Sequence, residues 1–150
     1  MSIDYIVSSL PTLSFNSAPQ ISQEAFDALA GDSIAGKLAE WGDLEAQLRN
    51  AIAIARSGEK WVRPVKGCSL YWRNRIAACF QEKDVAKRDE LIDRVWWDAA
   101  AELTPPAAPL GVGALATYAV RLKIALKRAA ISVDSGVEAF DRASRVNLKM

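Results

Sequence analysis

The two cysteines are the side chains of this sequence best suited to nucleophilic chemistry. Cys68 directly precedes Ser69, where a predicted helix begins, and the positive end of a helix lowers the pKa of a thiol. Neither Cys68 nor Cys79 has a further cysteine or a histidine near it, so their spacing matches no zinc site. A disulfide is disfavoured in a reducing compartment. The pattern favours two structural thiols, and a small helical enzyme that uses Cys68 is an alternative.

Histidine is absent from the sequence. The chain therefore lacks the residue most used for proton transfer near neutral pH, which is also the commonest metal ligand. The carboxylate pairs Asp89–Asp93 and Glu40–Asp43 lie among basic neighbours on predicted helices, and we interpret them as surface acids. The sequence predicts no catalytic residue, no metal, no cofactor and no small-molecule substrate.

Gly111 and Gly113 are the nearest approach to a phosphate-binding or dinucleotide-binding loop. Their segment, TPPAAPLGVG at 104–113, has no lysine after the glycines and no third glycine. Three prolines and two glycines in this segment are typical of a linker. We interpret it as a hinge or a turn between long helices within one domain that spans 1–150.

Basic and aromatic side chains are interleaved in KWVRPVKGCSLYWRNR, residues 60–75. Such a mixture can contact phosphates and stack on bases. The net charge of the whole chain is only +1, however, and no nucleic-acid-binding motif is present. A nucleic-acid-binding or other helical interaction module is therefore an alternative, and nucleic acid is not the expected partner.

Charge alternates along the chain although its total is nearly balanced. Residues 1–40 and 81–110 are acidic in sum, whereas 41–80 and 111–150 are basic. These blocks are either solvated faces whose fields cancel or a bipolar surface for charged protein partners. The chain has no long apolar run and does not start like a signal peptide, which predicts a cytoplasmic location.

The elements that must position these residues are predicted to be helices. Ser22, Ser69 and Asp84 are predicted N-caps, Gly31 is a predicted C-terminal cap, and Asp134 is predicted to cap a short last helix. Alanine is abundant and β-branched runs are scarce. The prediction is an all-α, compact bundle of about six helices in a single domain, with any strand confined to the first dozen residues.

Two adjacent tryptophans in DRVWWDAAAEL raise a question about the helix predicted from Asp84 to Leu103. Neighbours on a helix point about 100° apart, so Trp96 and Trp97 cannot share one face. Trp96 falls on the apolar stripe and is predicted to lie in the core. Trp97 falls off that stripe and is either an exposed or groove-lining anchor for a partner or core against a second layer. The stripes predicted for the other long helices contain Leu38, Trp41, Leu44, Leu48, Ile52 and Ala55; Trp72, Ile76 and Phe80; and Leu115, Tyr118, Leu122, Leu126 and Ala129.

Three segments, WGDLEAQLRNAIAIAR, AKRDELIDRVWWDAAAEL and YAVRLKIALKRAAISVDSGVEAF, carry a resemblance that touches most of the chain. In that order they resemble segments of an uncharacterised bacterial family that is encoded with V-type (A-type) ATP synthases and stands in for the socket component of their central stalk. The sequence VWW stands where that family has LRW, so Trp96 occupies a position where arginine is common. Many relatives are also longer. The matching positions include Trp41, Leu48, Arg49, Asn50, Asp93, Arg94, Trp97, Tyr118, Leu122 and Arg128.

The resemblance implies a noncatalytic connector that couples the central stalk of the ATP synthase to its membrane ring. The expected partners are proteins of the stalk and the ring, and the chain would reach the inner membrane only through them. Partner binding is expected on the basic helix faces and at the off-stripe tryptophan. The predicted partner-binding residues are Arg49, Asn50, Arg56, Trp97, Arg121 and Arg128.

Overall fold

A computed structural model describes residues 2–57 and 69–148, with side chains described for 2–57 and 69–131. The predicted all-helical single domain with about six helices is confirmed. In the described ranges there are six α-helices, one 3-10 helix and no strand. The helices are α1 (Ile3–Ser9), α2 (Gln23–Ala30), α3 (Ala35–Ser57), α4 (Leu70–Cys79), α5 (Val85–Ala99), the 3-10 helix η1 (Ala100–Leu103) and α6 (Val112–Leu148).

The predicted helix caps lie where the local sequence placed them. The Ser22 hydroxyl accepts from the backbone N–H of Ala25, and Asp84 accepts from two N–H groups at the start of α5. Ser69 caps α4 in the same way. Gly31 follows α2 with a φ of 53°, a conformation that glycine adopts without steric cost. These caps satisfy backbone groups that a helix end would otherwise leave unpaired.

The described part of the first dozen residues contains no strand: α1 spans Ile3–Ser9, and Leu10 follows it in an extended conformation before Pro11. One predicted boundary is wrong. Asp134 caps no new helix, because α6 is continuous to Leu148. No proline interrupts this stretch, and a single glycine costs a helix only about 1 kcal/mol. The α-helical part of the fifth helix ends at Ala99, and its last turn tightens into η1 before the prolines.

The core lies where α3, α4, α5 and α6 meet. Leu48, Ile76, Leu115 and Leu122 are fully buried there, and Phe26 seals the side formed by α2. The stripe predicted for α3 is correct from Leu38 to Ile52, but Ala55 is exposed on its last turn. The helices thus enclose one continuous apolar cluster, as expected for a small single domain.

The segment predicted as a hinge forms the turn between η1 and α6. Thr117 donates to the carbonyl of Ala100 (2.8 Å), and the Thr104 and Thr117 hydroxyls lie 2.7 Å apart. Gly113 faces the backbone carbonyl of Leu103, and any β-carbon at this position would collide with it. The helices on either side of this turn are therefore in direct contact, and its role as a hinge stays a prediction.

Candidate partner-binding groove

An open groove runs along the surface between α2, α3, α5 and α6. Its larger part has a volume of about 670 Å³ and is lined on its apolar side by Leu38, Trp41, Trp96 and Ile124. A second depression of about 460 Å³ continues it towards Ile52 and Ile92. Glu45, Trp96, Lys123 and Ile124 line both parts, so we treat them as one surface and call it the Trp96 groove.

Trp96 lies in the middle of this groove and is only partly buried. Its ring packs against the core on one side and borders the open groove on the other. The prediction that Trp96 is the core tryptophan of the pair is therefore wrong. Trp96 has the groove-lining position that the sequence suggested for Trp97.

Trp97 is buried, with 7% of its surface exposed, so its interpretation as an exposed or groove-lining anchor is wrong. The second interpretation, core against another layer, agrees with this burial. Phe15, from the loop after α1, meets the Trp97 ring edge-on at 5.6 Å between centroids. The guanidinium of Arg121 lies 5.1 Å from the centroid of the Trp97 ring. The layer that covers this tryptophan thus comes from distant parts of the chain, which the helix stripe alone could not reveal.

Arg49 stands at the rim of the groove. Its guanidinium donates to Glu45 Oε1 at 3.1 Å, and the indole N–H of Trp41 donates to Glu45 Oε2, also at 3.1 Å. The Arg49 side chain is 70% exposed and that of Glu45 is 33% exposed. The carboxylate is therefore turned towards the protein, and the cation faces solvent.

Asp93 and Lys127 repeat this arrangement on the opposite rim. Lys127 Nζ contacts Asp93 Oδ1 at 2.7 Å, and the lysine is 57% exposed whereas the aspartate is 13% exposed. Lys123 lies one helical turn before Lys127 on α6, is exposed, and has no ion pair with any residue that the structure describes. The outer surface at this end of the groove is consequently positive.

Arg121 and Arg128 were predicted on a free basic face, but the structure turns both inward. Arg121 Nε donates to the Trp97 carbonyl at 3.0 Å, and burial lowers the pKa of its guanidinium. Arg128 Nε donates to the Phe15 carbonyl at 2.9 Å, and its guanidinium stacks 3.8 Å from the Phe15 ring centroid. Both arginines therefore make contacts within this chain. Arg121 connects α6 to α5, and Arg128 connects α6 to the loop after α1.

The remaining predicted partner residues lie away from the open groove. Asn50 is 8% exposed, so a partner has little access to it. Arg56 is exposed on the last turn of α3, where its guanidinium lies 5.8 Å from the Phe80 ring centroid. Of the six predicted residues, only Arg49 lines the Trp96 groove. Their roles in partner binding stay predictions.

Trp96, Lys123 and Lys127 line the groove but were not predicted from the sequence as site residues. One signal for the lysines was present in the sequence. Lys123 and Lys127 are spaced by four on a helix, as are Glu45 and Arg49, so each pair shares one face of its helix. Nothing in the sequence shows that α3 and α6 turn these two faces towards one groove.

The thiols offer no assembled catalytic group in the described part of the chain. Cys79 is buried, its Sγ lies 3.3 Å from the Arg75 carbonyl, and burial raises the pKa of the thiol. Cys68, the alternative nucleophile, lies outside the described residues. Among the described residues, no group of three or more histidine, cysteine or acidic side chains is placed to hold a metal ion. Over the same ranges, no helix is both long and apolar enough to cross a membrane.

Comparison of the chain with protein-family models, with curated proteins and with solved structures found no match. The resemblance to the ATP synthase-associated family is therefore supported by the three sequence segments alone.

Proposed function

We propose that this chain is a noncatalytic protein-binding module that engages its partner through the Trp96 groove. The observation that carries the proposal is the partly buried ring of Trp96, which borders an apolar groove left open by the helices of this chain. Tryptophan is among the residues that contribute most to protein interfaces when a partner covers them. The surrounding polar rim matches the usual anatomy of such a surface.

The particular partner is proposed from the sequence resemblance. A socket-like connector of a bacterial V-type (A-type) ATP synthase would join a protein of the central stalk to the membrane ring. Such a role requires docking surfaces and no chemistry. The groove supplies one docking surface of the required kind, and the resemblance supplies the identity of the proposed partners.

Isolation of the tagged chain from its native cells tests this function. We expect stalk or ring proteins of the ATP synthase to co-purify in fixed stoichiometry after chemical cross-linking. A chain carrying Trp96→Ala, checked for helical content by circular dichroism, should recover less of them. A control chain carrying Tyr71→Ala alters an exposed aromatic residue outside the groove and should recover the normal amount.

Two outcomes would contradict the proposal. Recovery of no protein partner at all would contradict the role as a binding module. Recovery of a partner unrelated to the ATP synthase would contradict the connector role. A catalytic activity abolished by Cys68→Ser would instead favour the thiol enzyme.

A further inference from the structure

We infer that the occupant of the Trp96 groove is an acidic amphipathic helix of a protein partner, whose carboxylates lie over the end formed by Arg49, Lys123 and Lys127. This inference rests on the proposed function and specifies the chemistry of the partner. Three features support it. The cations of the ion pairs at this end are more exposed than the carboxylates, Lys123 has no described ion-pair partner, and the groove has the shape of a site for a helix.

The direction of the charges favours an acidic partner. In the two ion pairs whose members both line the groove, the cation is far more exposed than its carboxylate, 70% against 33% for Arg49 and Glu45 and 57% against 13% for Lys127 and Asp93. Formal charges in these pairs cancel, yet an approaching molecule meets the cations first. Such an arrangement attracts acidic groups and repels basic ones.

Lys123 adds a charge that forms no ion pair with any described residue. It lines both parts of the groove together with Trp96 and Ile124. An acidic side chain of the partner could pair with this ammonium while the neighbouring apolar residues exclude water from the contact. Pairs shielded in this way are less weakened by salt than fully exposed pairs.

The shape of the groove fits a helix. On α3 it extends from Leu38 to Ile52, which at about 1.5 Å per residue gives a length of about 21 Å. A partner helix of about fourteen residues has the same length. Side chains of α3, α5 and α6 line its narrower part, so a helix of the partner can place its apolar ridge among them.

Synthetic peptides of about fifteen residues test this inference directly. The acidic probe carries leucines at helical positions i, i+3, i+4 and i+7 with glutamates beside them. One matched peptide replaces the glutamates by lysines, and another replaces the leucines by serines. Fluorescence anisotropy of each labelled peptide with the full chain gives the affinity, and single-stranded DNA serves as the competing polyanion.

We expect the acidic peptide to bind and the other two to bind at least about tenfold more weakly. Lys123→Glu should weaken binding of the acidic peptide by about three- to tenfold. Lys83→Glu makes the same change of charge at an exposed lysine outside the groove and should leave the affinity unchanged. Lys123→Glu should also improve binding of the lysine peptide, which mere damage to the fold would not do.

The inference is overturned if the acidic and basic peptides bind equally, if neither binds, or if Lys123→Glu and Lys83→Glu have the same effect. Displacement of the acidic peptide by single-stranded DNA at equal charge would favour a nucleic-acid partner and also overturn it. Failure here is distinguishable from failure of the proposed function. If the native partner still co-purifies with the Lys123→Glu chain, the binding module stands and its acidic-helix occupant does not.

Discussion

Arg121 on α6 is bound to Trp97 on α5 in two ways at once. Its Nε donates to the Trp97 backbone carbonyl at 3.0 Å, and its guanidinium lies 5.1 Å from the centroid of the same residue's ring. Because the carbonyl and the ring belong to one residue, this single arginine fixes both the backbone of α5 and the side chain that α5 turns inward. Trp96, the preceding residue of α5, points about 100° away around the helix and lines the groove.

We therefore expect truncation of Trp97 to destabilise the fold more than truncation of Trp96, which is the reverse of the sequence prediction. Trp97→Ala should lower the free energy of unfolding by about 3–5 kcal/mol, because it removes a buried aromatic side chain. Trp96→Ala should lower it by less, since part of this ring already borders solvent. Urea unfolding followed by circular dichroism measures both. Equal losses for the two variants would contradict the assignment of Trp97 to the core.

Quenching of fluorescence gives an independent check on the same pair. The chain retains Trp96 in the Trp97→Phe variant and retains Trp97 in the Trp96→Phe variant. We expect acrylamide to quench the Trp97→Phe protein more strongly, because this variant retains Trp96, which is the more accessible of the two indoles. The other three tryptophans are common to both variants and cancel in the comparison.

What the sequence predicts best here is local structure. The caps at Ser22, Ser69 and Asp84 require only a side-chain oxygen and the N–H groups two or three residues later, so the sequence contains all of the relevant information. The reversal of Trp96 and Trp97 has a different origin. Phe15 and Arg121 cover Trp97 from distant positions in the chain, and no helical period can reveal such partners.

Only part of the candidate site could be predicted from the sequence, because contacts between distant parts of the chain decide which charged side chains stay exposed. Arg49 was identified because a basic residue on an amphipathic helix is normally solvated, and its exposure agrees. Arg128 has the same charge and a similar helical setting, yet it lies beneath the loop after α1 and contacts Phe15. The difference between a free and an anchored arginine depends on loop placement, which charge patterning does not encode.

Substitution of each arginine by alanine should have different effects on the free energy of unfolding. Arg128→Ala should lower the free energy of unfolding by about 1–3 kcal/mol, because the Phe15 carbonyl loses its donor and Asp93 and Glu90 lose a cation. Arg49→Ala should change it by less than about 1 kcal/mol, since exposed ion pairs contribute little. Thermal or urea unfolding measures both changes. A larger loss at Arg49 than at Arg128 would show that the groove rim stabilises the fold.

The buried thiol of Cys79 should make the stability depend on alkaline pH. Burial raises the pKa of this thiol in the folded protein, whereas in the unfolded chain a cysteine ionises near about pH 8.5. Above the unfolded pKa, the unfolded state binds fewer protons than the folded state, so the free energy of unfolding falls as pH rises towards the folded pKa. Below the unfolded pKa this contribution is constant.

A matched pair of variants isolates this effect. We would compare Cys68→Ala with the Cys68→Ala/Cys79→Ala double variant, so that only one thiol differs between them. The urea midpoint of the single variant should fall more steeply between about pH 8 and pH 10 than that of the double variant. Tyr118, whose phenol pKa is also raised by burial, is present in both proteins. Parallel slopes would contradict the assignment of the effect to Cys79.

Two glycines should respond oppositely to the same substitution. A β-carbon at Gly113 would collide with the Leu103 carbonyl and would lie 3.0 Å from Cδ of Pro105. Gly113→Ala should therefore force α6 away from η1 and lower the free energy of unfolding by about 1–3 kcal/mol.

At Gly42, inside α3, a β-carbon would have no neighbouring heavy atom within 4 Å. Gly42→Ala should raise the free energy of unfolding by about 0.5–1 kcal/mol, because alanine loses less conformational entropy in a helix. Denaturant unfolding of the two variants decides the matter, and a neutral effect at Gly113 would mean that the turn at 104–111 yields easily, as a hinge does.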